Sequence, residues 1–439
     1  MPYDIIIGRD EADKIKFGNK GLINIGKGFV KMGQTTSLAN NILLDVAKSH
    51  VILVSGKRGS GKSYSLSVIT EEISKMPEEV KKNISVLIFD TMGIFWTMKF
   101  PNKREEKLLA EWGIKPEAID VDIYTPQGYY EEYKKKGIPT DYAFTINTTE
   151  LNAGEWCNVF EIKLTEPIGV LIERVISDLK ENNKDYSIKD IIRRIKDDAK
   201  TEKAEKDAAE NRFAAADSWG LFSETGAKID DILKPGKASI IDVSCYTTSA
   251  GAWSIKNLVI GLICKKLLMS RIGVRKYEEL SGIESEGKYF IEEEKKELPM
   301  VWLIIDEAHS ALPKEGSTPA TDVLVQLLRE GRQPGISMLL ATQQPGEIHK
   351  DVLTQADIVI SHRLTAKVDI NALNSMMQSY LITDINKYLN ELPKLSGAAI
   401  MLDDNSERIY PMKVHPKRSW HGGETPSAVK IKKELELDL

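Results

Sequence analysis

Residues 51–63 read VILVSGKRGSGKS. An apolar, largely β-branched run, Val51 to Val54, gives way to Gly56, Gly59, Ser60, Gly61, Lys62, Ser63 and Tyr64, with the spacing GxxxxGKS. Glycines so placed let successive backbone N–H groups face a polyphosphate. Lys62 can then reach the terminal phosphates, and the Ser63 hydroxyl stands where it can ligate Mg²⁺. Tyr64 to Ser74 predicts a helix whose N-terminus faces the same phosphates. Strand, glycine loop and helix in that order predict a nucleoside triphosphate site; the bland alternative is an ordinary glycine-rich turn.

A second stretch supplies what a phosphate cradle lacks. Met300 to His309, MVWLIIDEAH, is an apolar strand ending in Asp306 and followed by Glu307. At a strand's carboxyl end Asp306 can hold Mg²⁺ through water beside Ser63, and Glu307 can polarise the attacking water. Adjacent acids after a strand also suit a helix N-cap with a first-turn charge. Further on, EGRQPGISMLLATQQPGEIHK closes a helix near Gly331 and Arg332, opens a strand, and leaves Thr342 and Gln343 at its carboxyl end. An amide there can bond both a γ-phosphate and the lytic water, although a polar pair capping a strand is the simpler reading.

At 439 residues the chain exceeds the size at which one core stops growing. Its 42% apolar content allows a sizeable core, and no apolar run approaches a membrane span. The opening MPYDIIIGRDEADK has no secretory pattern, so a cytoplasmic location without membrane attachment is expected. Three widely spaced cysteines argue against a disulfide framework or zinc module. Net charge is −5, so no global basic field points to nucleic acid, although a ring can keep basic residues in its channel.

Strand and helix signals alternate along the chain, as in VLIFD at 86–90, ASIIDV at 238–243, a helix over Trp253–Met269, and strands at 300–305, 336–340 and 358–360. This predicts an α/β fold built on a mostly parallel, doubly wound sheet with its site at the strand carboxyl ends. The implied organisation is a short N-terminal β extension (1–48), a first core part (49–105), a helical insertion (106–232), a second core part (233–412) and a C-terminal tail (413–439). Within the insertion, Ile168, Leu171, Ile172, Val175, Ile176 and Leu179 share one helical face, and Ser187 opens a capped helix. The charged run KDDAKTEKAEKDAAENR suits a solvated helix, and an acidic loop is expected around Glu278 to Glu297.

The order P-loop, VLIFDTMGIF, DEAH, REGRQPGISMLLATQQP, VLTQADIVISHRL and VHPKRSWHGG resembles the archaeal and bacterial HerA ATPases, relatives of the FtsK translocases, over most of residues 45–423. The resemblance implies a RecA-like P-loop NTPase that binds ATP and Mg²⁺. It further implies a homo-oligomer, a hexameric ring, that moves double-stranded DNA beside a NurA-like nuclease in end processing or defence. Lys62 and Ser63 then match the Walker A pair, Asp306 and Glu307 Walker B, Gln343 the sensor, and Arg332 the arginine inserted into a neighbour's site. Three departures stand out: Ser49 and His50 occupy the place of a family arginine, Ile94 replaces an acidic residue, and the N-terminal barrel is abbreviated. Lys314 and Lys350 are candidates for DNA phosphate contact, with ordinary solvated lysines as the alternative. Other classes compatible with the motifs are a superfamily 2 helicase, a secretion or conjugation ATPase, and a nucleotide-gated scaffold.

Overall fold

The computed structural model describes residues 3–32, 35–182, 185–249, 251–287, 298–376 and 385–423. Its main sheet has thirteen strands. In chain order these are β1 (Ile5–Ile7), β2 (Leu22–Met32), β3 (Thr35–Asp45), β4 (Val51–Ser55), β5 (Ile84–Asp90), β6 (Val121–Pro126), β7 (Tyr142–Phe144), β8 (Ala238–Asp242), β9 (Met300–Ile305), β10 (Ile336–Thr342), β11 (Ile358–His362), β12 (Ala398–Asp403) and β13 (Arg408–Val414). Across the sheet the order is β1-β3-β2-β13-β12-β11-β4-β10-β9-β5-β8-β6-β7.

From β11 to β7 the strands run parallel. A parallel sheet is covered on both faces, so its strands read as continuous apolar runs whose alternate residues feed two cores. Val51, Leu53, Leu87, Phe89, Leu303 and Ile305 pack into the layer that holds the helices of the middle segment. Ile52, Val54, Val86, Ile88, Trp302 and Ile304 pack into the other, against Leu66, Ile69 and Ile73 of the P-loop helix Lys62–Ser74. The sheet is therefore doubly wound, with the P-loop strand β4 in its interior.

Beyond β11 the sheet turns antiparallel through β12, β13, β2 and β3. The described residues before 49 thus contribute two antiparallel 11-residue strands, β2 and β3, with a helix, Glu11–Phe17, and join the core through β13. Gly26 permits that splice, because a Cβ there would lie 2.2 Å from the Lys413 carbonyl oxygen.

The stretch 106–232 returns two strands, β6 and β7, to the sheet before its helical bundle begins. Asp122 breaks the apolar pattern of β6 in the sequence; in the fold it is held by Lys234 at 2.6 Å and Lys237 at 3.0 Å. Helices follow at Ala153–Val159, Pro167–Asn182, Ile188–Asp197 and Lys203–Asp217. Ser187 and Asp190 form a reciprocal capping box. The charged last helix still buries Ala209, Phe213 and Ala216, with the Phe213 ring 4.9 Å from that of Trp156. The helix expected over Trp253–Met269 extends across Ala252–Gly287. Arg275 pairs with Glu278 and Glu279 one turn on, which favours helix where the acidic loop is expected to begin. The rest of that loop, 288–297, lies outside the described residues. No described helix is long and apolar enough to cross a membrane.

A buried run of charges fastens the N-terminal unit to the core. Arg9 donates to Asp45 at 2.5 Å. His50 bonds Asp357 through Nδ1 at 2.8 Å, and its Nε2 lies 3.7 Å from Asp45. Burial opposes a charge on this imidazole, but Asp357 and Asp45 outweigh it and raise the pKa from 6.5 to about 9. A folded value above the unfolded one means that the contribution to stability is complete below pH 6.5 and is lost as pH rises to about 9. Urea unfolding of the wild type should lose stability across this window, whereas His50→Gln should show a flatter profile; identical slopes would refute a charged imidazole at this junction.

Candidate nucleotide site

Parallel pairing of β4 with β10 and of β10 with β9 sets three strand ends side by side. From them emerge the glycine loop, Asp306 with Glu307, and Thr342 with Gln343. Gly61 is the N-cap of the P-loop helix at φ 114°, a backbone region that side chains avoid. Gly56 allows a close approach: a Cβ there would lie 2.4 Å from Ser60 Oγ and 2.7 Å from His362 Cβ.

Lys62 is almost fully buried, with Nζ 3.4 Å from the Lys57 carbonyl. Burial pushes its pKa down, while Glu307 and Asp306 pull it back up. Ser63 Oγ donates to Asp306 Oδ2 at 2.5 Å. Asp306 is enclosed, and burial raises its pKa against the bond from Ser63. These hard oxygen donors suit Mg²⁺. Among the described residues no group of three or more His, Cys, Asp or Glu could hold a metal, so phosphates and water would have to complete the ion's shell. The buried Oγ of Ser60 lacks a protein partner, as suits a loop that receives a polar ligand.

Glu307 adopts φ 52° and ψ 44°, the left-handed region. A non-glycine residue there is strained, and such strain concentrates at functional sites. Its Oε1 accepts from Gln343 Nε2, and its buried Oε2 has no hydrogen-bond partner. His309 Nδ1 is 3.6 Å from that oxygen and 3.1 Å from Thr342 Oγ1. Burial lowers the His309 pKa, which favours the neutral ring.

The remaining sequence candidates divide. Tyr64 lines the cleft, but its hydroxyl is engaged, donating to Glu105 at 3.0 Å and accepting from Lys417 N at 2.7 Å. Arg332 lies at the other end of β10 from Gln343. There it donates to the Gln355 carbonyl at 2.6 Å and lies 3.6 Å from Asp357, with 43% of its side chain exposed. His50 points inward to its two carboxylates, so it presents no outward charge in place of the family arginine. Ile94 places an apolar side chain on the cleft wall. Lys314, on a loop, and Lys350, at the start of the helix Lys350–Gln355, are exposed, and a bridge between Pro313 and Ile348 joins the segments that precede them.

Two groups lie in motifs quoted from the sequence but are given no role there. His362 floors the glycine loop: Nδ1 donates to the Ala398 carbonyl at 3.1 Å, which leaves Nε2 to accept from Ser65 Oγ at 2.9 Å. Burial brings its pKa down to about 4, in keeping with that neutral tautomer. Residues 415–421, after β13, fold back over the P-loop helix. Glu71 on that helix accepts from Arg418 N at 2.7 Å, Ser419 N at 3.1 Å and Ser419 Oγ at 2.5 Å. Lys417 is buried beside it; burial lowers its pKa to about 8, against the pull of Glu71 and Glu105. The available signal is Glu71 itself, a carboxylate three residues after Val68 on the buried side of the helix, since a buried charge needs a partner.

A glycine loop capping a helix, two strand-end acids and a neighbouring amide define a P-loop nucleotide-binding protein of RecA-like fold. Residues 30–267, more than half of the chain, match the family described as "Helicase HerA, central domain", and the chain belongs to that family. A probable DNA double-strand break repair helicase HerA of Methanocaldococcus jannaschii is 29% identical over 155 residues, 33% of this chain and 31% of the relative. The DNA double-strand break repair helicase HerA of Sulfurisphaera tokodaii is 22% identical over 77% of this chain and 58% of its own length. The chain thus spans about a third to three fifths of these relatives. Among solved structures, VirB4 of Thermoanaerobacter pseudethanolicus superimposes with a TM-score of 0.55 at 13% identity, covering 90% of this chain and 96% of VirB4. The bacterial conjugative coupling protein TrwB gives 0.50 at 12% identity, covering 87% and 88%. These likenesses speak for the fold.

The left-handed backbone at Glu307 has a consequence for stability. Glu307→Gly should raise the unfolding free energy by about 1 kcal/mol, as read by chemical denaturation. A less stable variant would show that the Gln343 bond outweighs the strain.

Proposed function

We propose that this chain is a Mg²⁺-dependent ATPase that works as a homo-oligomeric ring, a hexamer, and moves double-stranded DNA. Gly56, Gly59, Ser60 and Gly61 offer backbone to the phosphates, Lys62 carries the charge that meets them, and Ser63 and Asp306 hold the ion. Bound Mg²⁺ neutralises charge on the transferred phosphoryl group. The observation that carries hydrolysis beyond mere binding is the Glu307 carboxylate, held by Gln343 and retaining one buried oxygen without a hydrogen bond. That oxygen takes the proton of the attacking water, while the Gln343 amide fixes its direction.

Arg332 supports the ring. It stands at the sheet edge remote from its own glycine loop and is partly exposed, so any phosphate it meets belongs to a neighbouring subunit. An arginine supplied in trans makes hydrolysis depend on assembly. Family membership and the double-strand break repair names of the relatives support DNA as the substrate. Exposed Lys314 and Lys350 are the proposed phosphate contacts, blind to sequence. A NurA-like nuclease is the proposed partner, and the setting is DNA end processing or defence in the cytoplasm.

ATP turnover should rise with protein concentration and with linear duplex DNA. Glu307→Gln should lower it by about 10²–10⁴-fold, and Arg332→Ala by about 10³-fold, both retaining ATP binding. Turnover indifferent to DNA, with Arg332→Ala fully active, would overturn the translocase and leave a secretion or conjugation ATPase or a nucleotide-gated scaffold.

A further inference from the structure

The nucleotide cleft, about 700 Å³, has two chemically distinct ends. One carries Lys62, Ser63, Asp306, Glu307 and Gln343, all polar; the other gathers Leu108, Pro416 and His421 around Tyr64, whose hydroxyl donates to Glu105 at its margin. Nothing in hydrolysis uses this second end. The rings of Tyr64 and His421 meet edge to face, with centroids 5.2 Å apart. An aromatic edge and face beside aliphatic side chains is an environment for a flat, weakly polar ring system.

We propose that Tyr64, Leu108, Pro416 and His421 form the base-binding end of the cleft and take a purine, so that the folded-back segment 415–421 supplies nucleotide selectivity. The inference rests on the ATPase reading above, because the triphosphate must lie on Lys62 for the base to fall here. Tyr64 follows Ser63 directly and lines the same cleft, which joins the two ends through one helical turn. A two-ring base covers more of the apolar wall than a pyrimidine does, and stacking tolerates any base with a wide π-face. His421 is suited to this. Burial, with the charges of Lys417 and Arg104 nearby, lowers its pKa to about 4, leaving a neutral ring at pH 7.

The position of His421 is itself held. Lys417, four residues earlier, is buried beside Glu71, which also accepts from the backbone of Arg418 and Ser419. Arg418 adds a contact of 3.1 Å to Glu72. Glu71 is thus a positioning residue: it touches no nucleotide but fixes the segment that does.

The test is calorimetric binding to the full chain carrying Glu307→Gln, with Mg-ATP, Mg-CTP and Mg-tripolyphosphate, which has the phosphates but no base. His421→Ala should weaken ATP about tenfold, leave tripolyphosphate within about twofold, and reduce the preference for ATP over CTP; His421→Phe should restore ATP binding. Equal losses for ATP and tripolyphosphate, no loss for ATP, or a wild type that binds CTP as tightly as ATP would each overturn the proposal. Lys62→Ala separates the two readings. Loss of both ATP and tripolyphosphate supports the phosphate end independently of the base end, whereas undiminished ATP binding would refute the ATPase reading itself.

Discussion

Everything at the cleft depends on the parallel register of β4, β10 and β9. Thr342 pairs with Ser55 and Leu340 with Ile305, so loops far apart in the chain leave the sheet at one level. A slip of one residue in any of these strands would turn its side chains to the opposite face, which the two-sided core forbids: Leu53 and Leu303 belong to one layer, Ile52 and Ile304 to the other. The contact between Ser63 and Asp306 is thus fixed by apolar packing.

The charges in the cleft are poorly solvated without a ligand. Burial drives the Lys62 ammonium and the Asp306 carboxyl toward their neutral forms, in opposite pKa directions. Each is restrained by a neighbour of opposite charge or by a hydrogen bond, as expected where water has been excluded from ionisable groups. A polyanion together with a divalent cation would supply what both lack. Glu307 adds backbone strain to this balance, and the Gln343 amide fastens the side chain that the strained backbone presents.

Features with local causes were legible in the sequence. The glycine loop announces itself by spacing, β9 by an uninterrupted apolar run, β10 by a mainly apolar one, and the Ser187 cap by its partner three residues on. Features with distant causes were not. β6 carries Asp122, whose partners Lys234 and Lys237 lie more than a hundred residues away, so its pattern does not read as a strand. The antiparallel pair β2 and β3 reads as a short extension because its attachment is to β13, nearly four hundred residues later. His50 looks like a missing arginine until Asp45 and Asp357 are seen on either side of it. Glu71 and Ser419 are separated by 348 positions, and no periodicity links them.

The bond between Glu71 and the 415–421 segment also bears on how fast a ligand is taken up. A flap ordered only by its ligand must surrender conformational entropy at the moment of binding, which weakens affinity and slows productive encounter. Here the segment is fastened by the chain's own carboxylate, ammonium and backbone N–H groups, so that ordering belongs to folding. That part of the cleft wall is therefore in place before a nucleotide arrives.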